Sequence, residues 1–247
     1  MPWRQRRTPY RILVSEVMLQ QTSVPRVLPK YHEFLKAFPS IRRLASSSVE
    51  EVLSVWKGLG YNRRALALRE AARGIVEKHG ARVPQSTDEL ARLPGIGPAT
   101  AASVVVFSFN VPIVFIETNI RRVFINFFFP NESAVTDAEI LPLVRSTLDK
   151  KNPREWYYAL MDYGAFLRGA TANPNLRSAA YVRQSRFEGS LRQLRGRVLE
   201  VMLALRSARL ESILQALPNR DPRLAQALGQ LVAEGFLQEK NGRYFFK

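Results

Sequence analysis

Residues 93–101 read Leu-Pro-Gly-Ile-Gly-Pro-Ala-Thr-Ala, and this stretch decides the fold. Two glycines one residue apart let the chain turn tightly, and small helix formers follow them. Such a turn leaves backbone N–H groups uncovered at a helix N-terminus, where a phosphate can bind. A phosphate site of this kind contacts DNA without reading its sequence. The stretch therefore predicts a helix-hairpin-helix motif, with an ordinary helix–helix turn as the alternative.

The composition narrows the range of partners. The 247 residues carry a net charge of +16, which attracts polyanions, and nucleic acid is the commonest of these. A basic ribosome-associated protein or an anionic-membrane protein is the alternative. No apolar run is long enough to span a bilayer, and the first residues do not have the pattern of a signal peptide. We expect a DNA-binding monomer that does not contact a membrane and acts in the cytoplasm.

The chain contains no cysteine, and its only histidines are His32 and His79. Without thiolates it cannot form disulfides, thiolate zinc sites or cysteine-ligated iron–sulfur clusters. Two histidines do not suffice for a histidine-rich metal site. We therefore expect no cluster and no metal cofactor, and a monovalent cation at the hairpin turn is the alternative.

The segments around the hairpin have helical periodicity. Apolar residues recur at three- to four-residue spacing between residues 9 and 165, without the alternating pattern of strands. The serine run that ends at Ser48 supplies an N-cap for a helix whose first turn holds Glu51. This part of the chain is therefore predicted to be all-α. The predicted helices cover residues 9–27, 49–57, 62–79, 87–93, 99–108, 117–127, 137–149 and 154–166.

The chain changes character towards its C-terminus. Residues 168–188 begin with a small, polar stretch that contains a proline, at 169–175, which is typical of a loop. Two short apolar segments near the end flank Asn241-Gly242, the strongest two-residue hairpin signal. The helices predicted before this hairpin are residues 192–206, 210–216 and 222–235. This order predicts a small winged-helix-like domain at residues 186–247, after a first domain at residues 1–185. A helical bundle with a frayed tail is the alternative.

Four further segments accompany the hairpin. They are Val-Ser-Glu-Val-Met-Leu-Gln-Gln-Thr at 14–22, Gly-Leu-Gly-Tyr-Asn-Arg-Arg-Ala at 58–65, Glu-Thr-Asn-Ile-Arg-Arg-Val at 117–123 and Ala-Leu-Met-Asp-Tyr-Gly-Ala at 159–165. Together with the Pro-Trp-Arg opening at 2–4, this ordered set resembles the MutY-type adenine DNA glycosylases of the helix-hairpin-helix superfamily. The resemblance covers most of the predicted first domain.

The resemblance implies two helical lobes with a catalytic site between them. It also implies hydrolysis of the N-glycosidic bond of adenine mispaired with guanine or 8-oxoguanine, after the base is flipped out of duplex DNA. The DNA-contacting residues that it implies are Gln20, Gln21, Tyr61, Arg63, Leu93, Gly95, Gly97, Ala99 and Thr100. Tyr61 is a candidate for insertion into the duplex, and a packed aromatic at a helix start is the alternative. The implied base pocket comprises Tyr158, Met161 and Asp162.

Breaking an N-glycosidic bond requires a proton for the leaving base and a negative charge near the cation-like sugar. Glu16 lies in an apolar helical segment, where burial would raise the pKa of its carboxyl and suit a general acid. Glu117 would cap the helix that it begins, at 117–127, and a helix N-terminus favours the charged form of a carboxyl. With Asn119, which would position the sugar or the Glu117 carboxylate, these are the candidate catalytic residues. A surface Glu16 and a plain N-cap at Glu117 are the alternatives.

The chain departs from the family pattern at several positions. The four cluster cysteines would fall at Arg168, Asn175, Ser178 and Gln184. Glu117 occupies the position of the family's usual catalytic aspartate. Tyr158 occupies the position of a glutamine that lines the family's base pocket. The family's Nudix-like C-terminal domain is replaced by the shorter predicted winged helix.

Other departures bear on the reaction. Some members of the superfamily form a Schiff base with a lysine just after the hairpin, and that position is Ala99, which predicts hydrolysis without strand cleavage. Arg121 and Arg122 are predicted to contact the DNA backbone or to pair with Asp162. Removal of another base such as thymine or uracil, and an inactive DNA-binding relative, are the alternative functions.

Overall fold

A computed structural model describes residues 1–170 and 172–247, which are predominantly helical. The helices are α1 (Pro2–Gln5), α2 (Pro9–Leu19), α3 (Val24–Ala37), α4 (Ile41–Ala45), α5 (Val49–Trp56), α6 (Arg63–His79), α7 (Thr87–Ala91), α8 (Pro98–Phe109), α9 (Thr118–Phe128), α10 (Asp137–Thr147), α11 (Pro153–Ala170), α12 (Leu191–Leu205), α13 (Leu210–Ala216) and α14 (Leu224–Ala233), with a 3-10 turn at Pro174–Arg177. The strands are β1 (Ser207–Arg209), β2 (Leu237–Lys240) and β3 (Arg243–Phe246). The prediction of an essentially helical protein is confirmed.

The sequence pattern places most helices, but it does not predict α1, α4 or most of α3, and it misses the break between α2 and α3. Ser48 caps α5 and forms a capping box with Glu51, as the serine run indicates. The single helix predicted over residues 9–27 is wrong, because α2 ends at Leu19 and α3 begins at Val24. Gln21 between them has a φ of 53°, which no α-helix contains. The apolar spacing continues through this break and therefore conceals it.

The chain divides into two compact units. The first unit comprises Met1–Glu16 and Val83–Gln184, and the second comprises Val17–Arg82 and Ser185–Lys247. The first therefore contains the hairpin, and the second contains the Gly-Leu-Gly-Tyr segment and the C-terminal residues. The division into domains at residues 1–185 and 186–247 stays a prediction.

Helices α9 and α11 approach each other closely in the first unit. Gly164 makes this approach possible, because a Cβ there would lie 2.3 Å from the backbone oxygen of Asn119. Ile120, Ile125 and Tyr157 are fully buried in this unit and add apolar packing to its core. The start of α9 is thereby fixed against α11, and Glu117 directly precedes it.

The C-terminal residues of the second unit form three helices and a small sheet. The strands are antiparallel in the order β1-β3-β2. Asn241 and Gly242 connect β2 to β3 with φ values of 53° and 72°, so the predicted hairpin is confirmed with the positive φ pair of a type I′ turn. The three-residue strand β1 is too short to give an alternating pattern, and the sequence analysis missed it. The winged-helix interpretation of this segment stays a prediction.

Within the described parts of the chain, no helix combines the length and the apolar character that crossing a membrane requires.

Candidate active site

Glu16 is a half-buried carboxyl close to the C-terminal end of α2. The Ser103 hydroxyl of α8 donates a hydrogen bond of 2.7 Å to Glu16 Oε2. Burial raises the pKa of Glu16 to about 7, with a further contribution from the negative charge of Glu117, and against the effects of the Ser103 hydrogen bond and of Arg4. The predicted rise is therefore confirmed. Such a carboxyl holds a proton close to neutral pH, as a general acid must.

Glu117 is the N-cap of α9. Its Oε1 accepts hydrogen bonds from the backbone N–H groups of Asn119 at 2.8 Å and Ile120 at 3.0 Å. The Asn119 amide nitrogen lies 3.2 Å from Oε2 and donates to it. The cap is therefore present, and its backbone donors lower the pKa of Glu117 as predicted, but burial has the larger effect and the net pKa is raised. Burial raises the pKa of Glu117 because it removes more hydration than these donors replace.

Asn119 and Arg122 hold this carboxyl in place. The Arg122 guanidinium donates 2.8 Å to Asn119 Oδ1 and 2.5 Å to the Gly164 backbone oxygen. Its Nε donates to Asn173 Oδ1 at 3.2 Å, and the whole side chain is buried. The Asn119 side chain thus connects Arg122 to Glu117, and this geometry favours the carboxylate-positioning alternative for Asn119.

The two arginines after Asn119 do not pair with Asp162. Arg121 forms a bidentate ion pair with Asp137, at 2.6 and 2.7 Å, and Arg122 is engaged as described above. Asp162 instead accepts two hydrogen bonds from Arg4, at 2.7 and 2.8 Å. The alternative that pairs Arg121 or Arg122 with Asp162 is therefore wrong, because both guanidinium groups have nearer acceptors.

A cavity of about 370 Å³ opens in the first unit. Its lining residues are Arg4, Arg7, Glu155, Tyr158, Ala159 and Asp162. This volume lies within the usual range of ligand pockets. The cavity includes Tyr158 and Asp162 from the predicted base pocket, and Met161 is not part of its lining. Arg4 was not predicted as a site residue, although it belongs to the Pro-Trp-Arg opening that could have indicated it.

Tyr158 and Arg4 form a stacked arrangement at this cavity. The Tyr158 ring stacks on Phe107 with a centroid distance of 4.7 Å. The Arg4 guanidinium carbon lies 4.2 Å from the centroid of the Tyr158 ring and forms a cation–π contact with it. Burial raises the pKa of Tyr158 to about 12, so the phenol stays neutral. Within the described residues, the buried Tyr158 Oη and Arg4 Nε have no hydrogen-bond partner.

The hairpin leads into α8 as predicted, but its two glycines have different backbone conformations. Gly95 has the left-handed φ of 73° that glycine favours, whereas Gly97 is extended at −80° and is the N-cap of α8. The conformational freedom that was predicted for both glycines is therefore required at Gly95, and the conformation of Gly97 is one that any residue can adopt. Leu93 is buried, and Ala99 is exposed at the first turn of α8. The roles of these residues and of Thr100 in DNA binding, and of a monovalent cation here, stay predictions.

The second unit contains the other predicted DNA contacts in two turns. Gln20 and Gln21 follow α2, and Tyr61 precedes α6 with an exposed side chain and a φ of 48°. Arg63 is not free, because it forms a bidentate pair with Glu234 at 2.7 and 2.5 Å. Glu234 also accepts from Arg195.

Arg64 connects these two turns, and the sequence analysis missed its role. Its guanidinium donates to the backbone oxygens of Val17, Met18, Gln20 and Gly60 and to the Thr22 hydroxyl, at 2.5 to 3.1 Å. It also lies 5.4 Å from the ring centroids of both Trp56 and Tyr61. Burial lowers the pKa of Arg64 to about 10, which leaves it charged at neutral pH. The signal available in the sequence was the second of two arginines that follow the Gly-Leu-Gly-Tyr segment.

These features can be compared with known proteins. A family model described as HhH-GPD superfamily base excision DNA repair protein matches residues 14–143. The chain belongs to this superfamily of helix-hairpin-helix base excision DNA repair proteins.

Among its relatives is the adenine DNA glycosylase of Mycolicibacterium smegmatis, which is 31% identical over 99% of this chain and 90% of the relative. The adenine DNA glycosylase of Mycobacterium tuberculosis strain H37Rv is 34% identical over 83% of this chain and 74% of the relative. That of Buchnera aphidicola subsp. Baizongia pistaciae is 35% identical, and the chain covers 48% of its length. The chain thus spans about half the length of some of its curated relatives.

Two solved structures have a similar fold. A thermostable thymine-DNA glycosylase aligns with a TM-score of 0.61 and 28% identity, over 67% of this chain and 77% of that one. A trapped endonuclease III–DNA covalent intermediate aligns with a TM-score of 0.56 and 23% identity, over 68% of this chain and 78% of that one. The second likeness concerns the fold alone.

Proposed function

We propose that the protein is a monofunctional adenine DNA glycosylase, which hydrolyses the N-glycosidic bond of adenine mispaired with guanine or 8-oxoguanine. The observation that carries this proposal is the pair of carboxyls, Glu16 with a pKa of about 7 and Glu117 held by backbone donors at the start of α9. The curated relatives named adenine DNA glycosylase support the choice of base.

In the proposed reaction, Glu16 donates its proton to the departing adenine, which leaves with the electron pair of the broken C–N bond. The sugar then carries a developing positive charge, which the Glu117 carboxylate stabilises. A water molecule adds to the sugar carbon and loses a proton to a carboxylate, so that an abasic strand and free adenine result. Asn119 and Arg122 act by holding Glu117, since Asn119 donates to its carboxyl.

The product is proposed to be an intact abasic strand. Ala99 has no amine, and Schiff-base chemistry requires one. Borohydride should therefore trap no enzyme–DNA adduct. A trapped adduct would identify a lysine elsewhere in the chain as the nucleophile and assign the protein to the lyase branch.

A second candidate substrate follows from one observation. Tyr158 lies where the family has a glutamine, and its hydroxyl has no partner within the described residues. A changed hydrogen-bonding group would suit a changed base, and the 28% identical structure is a thymine-DNA glycosylase. Thymine or uracil opposite guanine is the corresponding substrate.

One experiment separates these possibilities. Duplexes containing A:8-oxoG, A:G, T:G or U:G would be incubated with excess enzyme, and the free base would be identified by chromatography. Release of adenine alone supports the proposal, and release of thymine or uracil replaces it by the second candidate. Saturable lesion binding without release of any base between pH 5 and 9 would identify an inactive DNA-binding relative.

We further propose that the protein acts on duplex DNA as a monomer in the cytoplasm. Its charge of +16 supports the choice of partner. Sedimentation of the free protein and of its DNA complex would test the monomer, and a 2:1 complex on a single lesion would contradict it.

A further inference from the structure

Three basic side chains lie in one row across the C-terminal sheet. Arg209 of β1 is in register with Arg243 of β3, which is in register with Lys240 of β2. All three are exposed. Arg243 Nε donates to the Ser207 hydroxyl at 3.2 Å, which places it on the face that Ser207 and Arg209 share. The residue between these two, Ala208, is buried on the other face. We call Arg209, Arg243 and Lys240 the basic row.

The basic row lowers the stability of the folded protein when nothing is bound to it. Side chains directly opposite each other on neighbouring strands have Cβ atoms about 4.5–5.5 Å apart, and like charges at that distance repel. None of the three forms an ion pair with any residue that the structure describes. Glu239, the neighbour of Lys240 on β2, is in register with Tyr244 on the opposite face, while Glu234 pairs with arginines 63 and 195 and Asp221 pairs with Arg223. A bound anion would relieve the repulsion that the chain itself leaves in place.

The helix before the hairpin has a different character. The exposed positions of α14 include Ala225, Gln226 and Gly229, which carry no charge. In helix-turn-helix proteins the second helix of the motif reads the major groove with its side chains. Small uncharged residues suit that task poorly, and α14 contains no charged residue, whereas the sheet presents three exposed basic ones.

We propose that the basic row binds the phosphodiester backbone of duplex DNA, without reading its sequence. Three strands about 4.8 Å apart span about 10 Å. Each strand of B-DNA carries about three phosphates over that axial length. Exposed guanidinium and ammonium groups in such a row match a line of phosphates in charge and in spacing. This inference rests on the proposed function, because it takes DNA as the polyanion.

The test compares two double variants of the full-length protein that lose the same charge. Arg209→Gln with Arg243→Gln removes two members of the basic row, and Arg197→Gln with Arg220→Gln removes two other exposed arginines of the same segment. Affinity for an undamaged labelled duplex would be measured by fluorescence anisotropy at several salt concentrations. The row variant should bind about tenfold more weakly at 100 mM salt, and its slope of log K against log salt should fall by up to about 1.8, or 0.9 per phosphate contact. The control should change both much less.

A single variant separates binding from folding. Lys240→Glu places a carboxylate opposite Arg243, so it should raise or preserve the melting temperature while it weakens duplex binding. Loss of affinity together with unchanged or higher thermal stability supports the proposal. If Lys240→Glu binds DNA normally, or if both double variants weaken binding equally, the basic row contributes only net charge and the proposal is overturned.

Two further measurements keep this inference distinct from the proposed function. Single-turnover base release at saturating enzyme should be unchanged in the row variant, because the row takes no part in the chemistry. Wild-type protein that releases adenine alongside a row variant with normal affinity and salt slope would refute the row and leave the function intact. Vesicles of phosphatidylserine and phosphatidylcholine would serve as the second polyanion. If the row variant lost vesicle binding and kept DNA binding, the partner would be a membrane surface and the proposal would be wrong.

Discussion

The carboxyl pair and the cavity beside Tyr158 lie in the same unit and differ in how their polar groups are satisfied. Glu16 accepts a bond from Ser103, and Glu117 accepts three bonds from α9. At the cavity, by contrast, the buried Tyr158 Oη and Arg4 Nε have no partner among the described residues. The groups proposed to stabilise the transition state are thus held in place by hydrogen bonds. By contrast, two polar groups at the cavity are available to form hydrogen bonds with a base. Chemistry and recognition are thus carried by different sets of groups in this unit.

The largest effect should come from the carboxyl pair. Glu117→Gln keeps the size of the side chain and removes its negative charge, so single-turnover base release should fall by a factor of about a thousand or more. Lesion affinity should stay within a few-fold of wild type. Glu117→Asp should cost on the order of a hundredfold, because the charge is displaced by one methylene. Base release by Glu117→Gln at close to the wild-type rate would show that Glu117 is only a helix cap.

The second effect is the dependence of the reaction on pH. Glu16 must be protonated to act as an acid, and its pKa of about 7 lies above the usual 4.5. The rate should therefore fall about tenfold per pH unit as the pH rises above 7. Ser103→Ala is the matched variant: the Ser103 hydroxyl lowers this pKa, so its removal should move the falling limb to higher pH. A wild-type rate that stays level up to pH 9 would assign the proton to another donor.

The third effect concerns recognition. Tyr158→Phe removes the unpartnered hydroxyl and keeps the stack on Phe107, so adenine release should fall by about tenfold while the melting temperature stays equal or rises. Tyr157→Phe is the control, because the Tyr157 hydroxyl donates to Ile113 O and accepts from Phe115 N. That change should cost about 1–3 kcal/mol of stability with a smaller effect on selectivity. If Tyr158→Phe alters neither rate nor preference among bases, the cavity is not the base pocket.

The smallest effect is on stability. A carboxyl whose pKa is raised on folding stabilises the folded state most below its unfolded value, and this stability is lost as the pH rises through the folded value. For Glu16 this window runs from about 4.5 to about 7. Glu16→Gln should therefore be about 1–2 kcal/mol more stable than wild type at pH 8, after allowance for partial exposure, and equal to it at pH 4. Urea unfolding at the two pH values measures the difference; an equal difference at both would mean that burial of the charge is not its cause.

Much of the fold follows from local signals. The hairpin glycines, the Ser48 cap and the Asn241-Gly242 turn each specify a backbone conformation within a few residues, and each is found where predicted. The break between α2 and α3 was missed because apolar spacing runs through it. The spacing of the two hairpin glycines predicts the turn, but it does not show that Gly95 and not Gly97 takes the positive φ.

The site was predictable only to the level of residue type. An apolar neighbourhood indicated the raised pKa of Glu16, since burial is a local property of its helix. The pKa of Glu117 depends on the balance between burial and donors from three groups, which no local pattern reports. Arg4 meets Asp162 across 158 positions of sequence, and such a long-range pair leaves no periodic signal.

The contacts of Arg64 restrict which insertions and deletions the two turns can accept. One guanidinium satisfies carbonyls at the end of α2, in the turn after it and at Gly60. An insertion or deletion in either turn would leave several backbone acceptors, most of them part-buried, without a donor, even if every side chain in the other turn were kept. The lengths of the two turns are therefore coupled through Arg64, which fixes how far apart their tips, Gln21 and Tyr61, can lie.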